Sequence, residues 1–317
     1  MQESSIGIDV SKAKLDVYIL PEKKFFTVSN DKKGFKALIK IFNQTNVRLV
    51  ILEATGGYEL ACAYALIEKD IPVSIINPKR VKRFAGAKDL NCKTDKVDAK
   101  LIAEFAAVMK PEQRELLSKE LRELKELINR RSQLVDEITT EKSRVETVMS
   151  KLVIKDIKSH LKQLKARIDR IEQEIKIRIK ENSQCKFLYD FYISFVGIGD
   201  ITAAALIANM PELGFLNRNE IAALLGVAPY NSDSGQKSGK RFVKGGRKDM
   251  RDIFYMATLS ACFHNPVIKD FYRRLLAKGK MQKVAITACM RKFITIINAK
   301  LKELIVFDHF LSFSTCI

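Results

Sequence analysis

The sequence predicts an α/β domain followed by an all-α remainder, on three observations. Up to about residue 112, short aliphatic and β-branched runs alternate with helical patterns, the signature of a mixed sheet covered by helices. Between residues 113 and 182 glycine and proline are absent, and Lys, Arg and Glu crowd around a recurrent apolar seam. From about residue 186, apolar helical stretches return, separated by glycine-containing turns. The expected domains are therefore 1–112, a helical coiled-coil region 113–185 and a mainly α domain 186–317.

The opening run Ser5-Ile6-Gly7-Ile8-Asp9-Val10 reads as a buried strand, and Lys14 to Leu20 as its hairpin partner. Lys24 to Val28 is a third strand, followed by a helix from about Lys32 to Phe42 capped by Asn30 or Asp31. Arg48 to Glu53 is nearly continuous β-branched and aliphatic, as expected of a central strand covered on both faces. A Gly56-Gly57 turn then leads into a helix, Glu59 to Lys69, and a further strand, Pro72 to Ile76. The pattern turns helical from Pro78, and Asp95 opens another helix with Thr94 as its cap. In the middle region, a seam through Leu117, Leu124, Ile128, Val135, Ile138, Met149 and Leu152 is followed by a second through Ile157, Leu164, Ile168 and Ile175. Two long helices joined near Ile154 to Asp156 are expected, forming an antiparallel hairpin that either closes on itself or pairs with another copy.

Composition narrows the partner. The chain of 317 residues carries a formal net charge of +19, yet 47% of its residues are hydrophobic, so it is basic and folded. A polyanion is the natural partner, and nucleic acid fits better than membrane: no apolar run is long enough to span a bilayer, and no amino-terminal signal is visible. A cytoplasmic location is expected. The six cysteines lack any C-x-x-C pair, and Cys62, Cys262 and Cys289 lie in apolar helical patterns, so reduced packed thiols are expected. The three histidines stand far apart, which argues against a zinc site and against histidine as general base.

Four acids stand out. Asp9 ends the first strand and Glu53 the central one, where α/β sheets gather their sites. Asp9 alone reads equally as a solvated turn acid. Asp95 and Asp98, three apart, share one helical face, and acids there also suit the helix dipole. Their conjunction is the disposition of an RNase H-like (RuvC-like) nuclease core, in which carboxylates hold divalent ions against phosphate oxygens.

Two later stretches suit phosphate contacts. Val196-Gly197-Ile198-Gly199-Asp200 leads into an alanine-rich helix, either as a helix-hairpin-helix offering backbone amides around Gly197 and Gly199 or as a plain tight turn. Residues 226–251 crowd Lys237, Lys240, Arg241, Lys244, Arg247, Lys248 and Arg251 onto a glycine-rich segment containing Ser232, Ser234 and Ser238. A solvated basic loop is the plainer reading of it.

Taken together, GIDVSK, LEATGGYE, KTDKVDAK, the helical insert, VGIGDITAAAL, GVAPYNSDSGQKSGKR and HNPVIKDFYRRLLAKGK resemble the DEDD transposases of the insertion sequence 110 family, 1111-like subgroup. The resemblance spans essentially the whole chain. It implies a RuvC-like domain with a serine-bearing transposase domain, Asp9, Glu53, Asp95 and Asp98 as a Mg²⁺-binding tetrad, and Ser234 as nucleophile. It further implies a homo-oligomer with a composite active site, acting on DNA under the guidance of a noncoding bridge RNA. The competing readings are a RuvC-like metal-dependent nuclease using water as nucleophile, and a nonenzymatic nucleic-acid-binding scaffold.

Overall fold

The computed structural model describes residues 3–88, 94–113, 116–231 and 242–307. It forms two compact units, 1–116 and 117–317. In the first, β1 (Ser4–Val10), β2 (Lys14–Leu20) and β3 (Lys24–Ser29) precede α1 (Lys32–Phe42), which starts where the Asp31 side chain accepts the Gly34 amide. Then come β4 (Val47–Glu53), α2 (Leu60–Ile67), β5 (Val73–Ile76), α3 (Pro78–Gly86) and α4 (Asp95–Met109). The sheet order is β3-β2-β1-β4-β5, with β1, β4 and β5 parallel and the β1-β2-β3 meander antiparallel. This mixed topology is consistent with an RNase H-like domain.

Both sheet faces are covered, as the unbroken apolar runs require. Ile6, Ile8, Leu15, Val17, Val50 and Leu52 pack with Phe35, Leu38 and Phe42 of α1 and Cys62 and Leu66 of α2. On the opposite face Leu49 and Ile51 meet Ile102, Phe105 and Ala106 of α4. Gly7 makes the fit of α4 on β1: a Cβ there would stand 2.2 Å from the Ala103 nitrogen and 2.5 Å from the Ala99 oxygen. Helix and strand backbones thus nearly touch, through a glycine and two alanines.

The second unit is mainly helical. Two long helices, α5 (Lys119–Thr147) and α6 (Lys151–Glu181), pack along each other through Leu134, Ile138 and Leu164 and an Arg131–Glu172 ion pair at 2.7 Å. Their connection is residues 148–150, not the expected 154–156. Met149 and Leu152, which continue the seam in sequence, are 97% and 79% exposed at this tip, so periodicity there has no partner to pack against. Next come α7 (Ser183–Ile193), α8 (Asp200–Asn209), α9 (Arg218–Leu225), the short strands β6 (Pro229–Tyr230) and β7 (Phe242–Val243), α10 (Lys248–His264), α11 (Pro266–Ala277) and α12 (Gln282–Phe307). The base of the long helices (Leu124, Ile128, Ile175, Ile179) lies in one apolar cluster with Tyr192, Ala204, Phe254 and Phe293, so a shared core runs across residue 185. Cys62, Cys262 and Cys289 are buried reduced thiols.

A candidate acidic centre at the strand ends

The four acids of the first unit converge from three elements. Asp9 lies near the end of β1 and Glu53 at the end of the neighbouring parallel strand β4. Asp95 and Asp98 occupy the first turn of α4, whose start is fixed by Thr94, its Oγ1 accepting the Val97 amide at 3.3 Å. The close approach at Gly7, Ala99 and Ala103 brings that first turn to the end of β1. Electrostatics register the convergence. Burial, then the Asp98, Asp16 and Asp95 carboxylates, push the Asp9 carboxyl above its ordinary range. Burial, then Asp9 and Asp98, do the same to Glu53.

A fifth acid, Asp16, is a residue that sequence reasoning missed. It stands opposite Asp9 in the β1–β2 ladder and is buried, with only 3% of its surface exposed. Thr27 Oγ1 of β3 donates to its Oδ1 at 2.5 Å, and Lys14 Nζ approaches its Oδ2 at 3.1 Å. The same ammonium donates to Asp95 Oδ2. Ligand atoms of Asp9, Asp16 and Asp95 all lie within 4.8 Å of one another. An acid inside the apolar run LDVYIL was the available signal, but its place opposite Asp9 depends on the hairpin register.

Behind the acids the loop after β4 is rigidly built. Buried Glu59 accepts the Thr55 and Gly57 amides, each at 2.9 Å, and Asn30 Nδ2 donates to Ser11 O at 2.8 Å and Tyr58 O at 3.2 Å. The loops following β1 and β4 are thereby tied together. The hard carboxylate oxygens of Asp9, Asp16 and Asp95 are close enough together to hold a metal ion.

The basic segment of the second unit divides in two. Arg247 grips Glu212 through both terminal nitrogens (2.6 and 2.7 Å) and donates to Asn209 O at 2.5 Å. Arg251 donates to Gly245 O at 2.8 Å and Gly226 O at 3.3 Å, across a backbone seam where a Cβ on Gly246 would lie 2.3 Å from the Gly226 nitrogen. These two arginines tie segments of the fold together. Lys248 pairs with Asp252 on the surface, and Lys244 lies over the Tyr230 and Phe242 rings. Ser234, Lys237, Lys240 and Arg241, with Ser232 and Ser238, lie outside the described residues.

The turn between α7 and α8 has its glycines in different roles. Gly197 has φ of +109°, and a Cβ on it would meet Ala261 Cβ at 2.7 Å, so it serves close packing against α10. Gly199 faces open space, and Asp200, which follows it, is held by Lys176 at 2.7 Å and Tyr189 at 2.8 Å.

A mixed sheet that gathers carboxylates at its strand ends, in a strongly basic chain, is consistent with a nucleic-acid-processing domain of the RNase H-like kind. Comparison with known proteins gives the family. Residues 6–154 match an IS110-type DEDD family model described as transposase, and residues 193–273 match the transposase IS116/IS110/IS902 family. The chain belongs to the IS110/IS116 transposase family and is a DNA recombinase. It is 27% identical to the pilin gene-inverting protein of Moraxella lacunata, over 97% of this chain and 98% of that one. It is 24% identical to a probable family 20 transposase of Pseudomonas aeruginosa, over 96% and 98%. A shorter match, 25% identical over 47% of this chain, is to the insertion element IS116 uncharacterized 44.8 kDa protein of Streptomyces clavuligerus.

Proposed function

We propose that this transposase cuts and rejoins DNA with two cooperating groups: a Mg²⁺-holding tetrad of Asp9, Glu53, Asp95 and Asp98, and a serine nucleophile, Ser234. The observation that carries the first half is geometric: ligand atoms of Asp9, Asp95 and the neighbouring Asp16 lie within 4.8 Å of one another, and after burial the nearby carboxylates, Asp98 for Asp9 and Asp9 and Asp98 for Glu53, add to the raised pKa of each. Bound there, a divalent ion supplies charge neutralisation at the phosphate being attacked. Asp9 and Glu53 lie on adjacent parallel strands, and Asp95 and Asp98 on one helix turn.

The serine half rests on the Asp233-Ser234-Gly235 sequence and the family resemblance. In this reading Ser234 Oγ attacks a DNA phosphodiester and its proton passes to solvent or a basic neighbour. The new Oγ–P bond replaces one P–O bond of the strand, so the ester survives for rejoining. We extend the reading to the 1111-like subgroup, to a noncoding bridge RNA that pairs with donor and target DNA, and to a homo-oligomer with a composite site. The expected division into an acidic domain, a helical region and a serine-bearing domain belongs to it, as does a cytoplasmic, nucleoid-associated setting. Among the described residues no helix is long and apolar enough to cross a membrane. The likeness to a pilin gene-inverting protein agrees with strand exchange more readily than with simple hydrolysis.

The test is denaturing electrophoresis of the protein after incubation with labelled DNA and Mg²⁺. Wild type should carry a covalent DNA adduct and Ser234→Ala none. Free ends without adduct from wild type would establish water as the nucleophile instead.

A further inference from the structure

We infer that the exposed basic face of α3 (Lys79, Arg80, Arg83) is a docking surface for the DNA backbone beside the acidic centre. This rests on the reading that the acids of β1, β4 and α4 handle a DNA strand. Position is the first support. Glu53 is in register with Ile76 of the parallel neighbour β5, and the Ala54 amide donates to Ile76 O at 3.0 Å. Asn77, the next residue, caps α3 by accepting the Lys79 amide at 2.9 Å, so the first basic turn follows directly from the strand end beside Glu53. Lys79, Arg80 and Arg83 line a hollow there with Ile75, Ile76 and Asn77.

Energetics is the second support. Positive charge in a first helical turn opposes the helix dipole, and like charges at i,i+4, as at Lys79 and Arg83, repel. The first turn of α3 contains no acid, and none of the three cations has an ion pair among the described residues. These charges therefore cost the helix stability instead of adding to it. Arg80 gains partial anchorage over the Phe105 ring, 5.3 Å from its centroid, which orients the guanidinium without neutralising it. An external polyanion is the partner such a surface fits. Because the acids next door repel phosphate, a strand reaching Glu53 needs cations at its flank.

The test uses full-length protein and a short fluorescent DNA duplex of arbitrary sequence, without divalent ions, and measures affinity against salt. Lys79→Gln/Arg83→Gln should lower the slope of log K against log salt by roughly 1 to 2, at about 0.9 for each phosphate no longer neutralised. Lys79→Arg/Arg83→Lys should keep the wild-type slope. So should Lys36→Gln/Lys40→Gln, which removes two exposed charges from α1. An unchanged slope in the α3 variant, or an equal fall in the α1 variant, overturns the assignment. A fall seen with single-stranded RNA and not with duplex overturns DNA as the occupant. None of these outcomes bears on whether the tetrad holds metal, which the cleavage of Asp9→Asn tests separately.

Discussion

Asp16 of the second strand and Asp95 of a distant helix share one cation, the Lys14 ammonium. Asp16 is buried and fixed by Thr27, whereas the Asp95 side chain is 60% exposed. Rigidity therefore passes from the sheet through Lys14 to a carboxylate that would otherwise sample solvent. Groups that orient metal ligands are worth about 10- to 100-fold in metal affinity. Asp16→Asn and Lys14→Met should raise the Mg²⁺ concentration for half-maximal strand cleavage by that factor, with rates recovering at saturating Mg²⁺. A rate deficit that no Mg²⁺ concentration repairs would place either residue in the chemistry itself.

Asp9 and Glu53 titrate above the ordinary Asp and Glu values of 3.8 and 4.5 in the folded protein. A folded-state pKa raised above the unfolded one gives stability that is present at low pH and lost as pH climbs through the folded value. The metal-free protein should thus become less stable, relative to Asp9→Asn, as pH rises from the ordinary carboxylate range toward neutrality. Thermal melts in chelator across that window read the difference. Mg²⁺ should raise the Tm of wild type near neutrality and leave that of Asp9→Asn unmoved; a pH-independent gap between the two would contradict the coupling.

Gly7 touches no substrate, yet it governs where Asp95 and Asp98 stand. A Cβ there would lie 2.2 Å from the Ala103 nitrogen, so Gly7→Ala forces α4 off the strand. Overpacking of this kind costs about 1–3 kcal/mol. Calorimetry should show that loss, and cleavage should fall further than stability alone accounts for, because the helix carries two ligands with it. A destabilised variant with full activity per folded molecule would separate the fit from the site.

The Arg247–Glu212 fork locks the start of α10 to the end of α8. Burial, and then Arg247, hold the nearby Lys125 ammonium below its usual pKa, with Glu212 acting in the opposite sense. Glu212→Gln leaves two cations facing each other, and losing one partner of a hydrogen-bonded charge pair costs about 1–3 kcal/mol. Urea denaturation of Glu212→Gln should show this deficit, while its DNA-binding salt slope stays at the wild-type value. A changed slope with unchanged stability would make phosphate contact, not the ion pair, the main role of Arg247.

Much of this was legible in the sequence because local signals agreed with the fold. Asp31 and Thr94 cap their helices as their types suggest, and Asp9, Glu53, Asp95 and Asp98 stand at strand ends or a helix start, where polar residues interrupt apolar patterns. Asp16 was not legible, since its meaning depends on cross-strand register with Asp9 and on Thr27 one strand further. Charge also has no direction in a sequence: Arg247 and Arg251 donate hydrogen bonds to Glu212 and to the Gly245 and Gly226 carbonyls, whereas the run Lys79, Arg80, Lys82 and Arg83, equally basic in sequence, stays exposed on α3. The hairpin tip was misplaced because Met149 and Leu152 keep the apolar period after packing has ended.

The claim at the centre is that the acids of the first unit form a metal centre for DNA strand cleavage. The most direct measurement is cleavage of element-end DNA, over a Mg²⁺ titration, by wild type and by Asp9→Asn verified as folded. Wild type should cleave in proportion to Mg²⁺ occupancy and Asp9→Asn should not cleave at any concentration. Cleavage by Asp9→Asn at the wild-type rate would contradict the account.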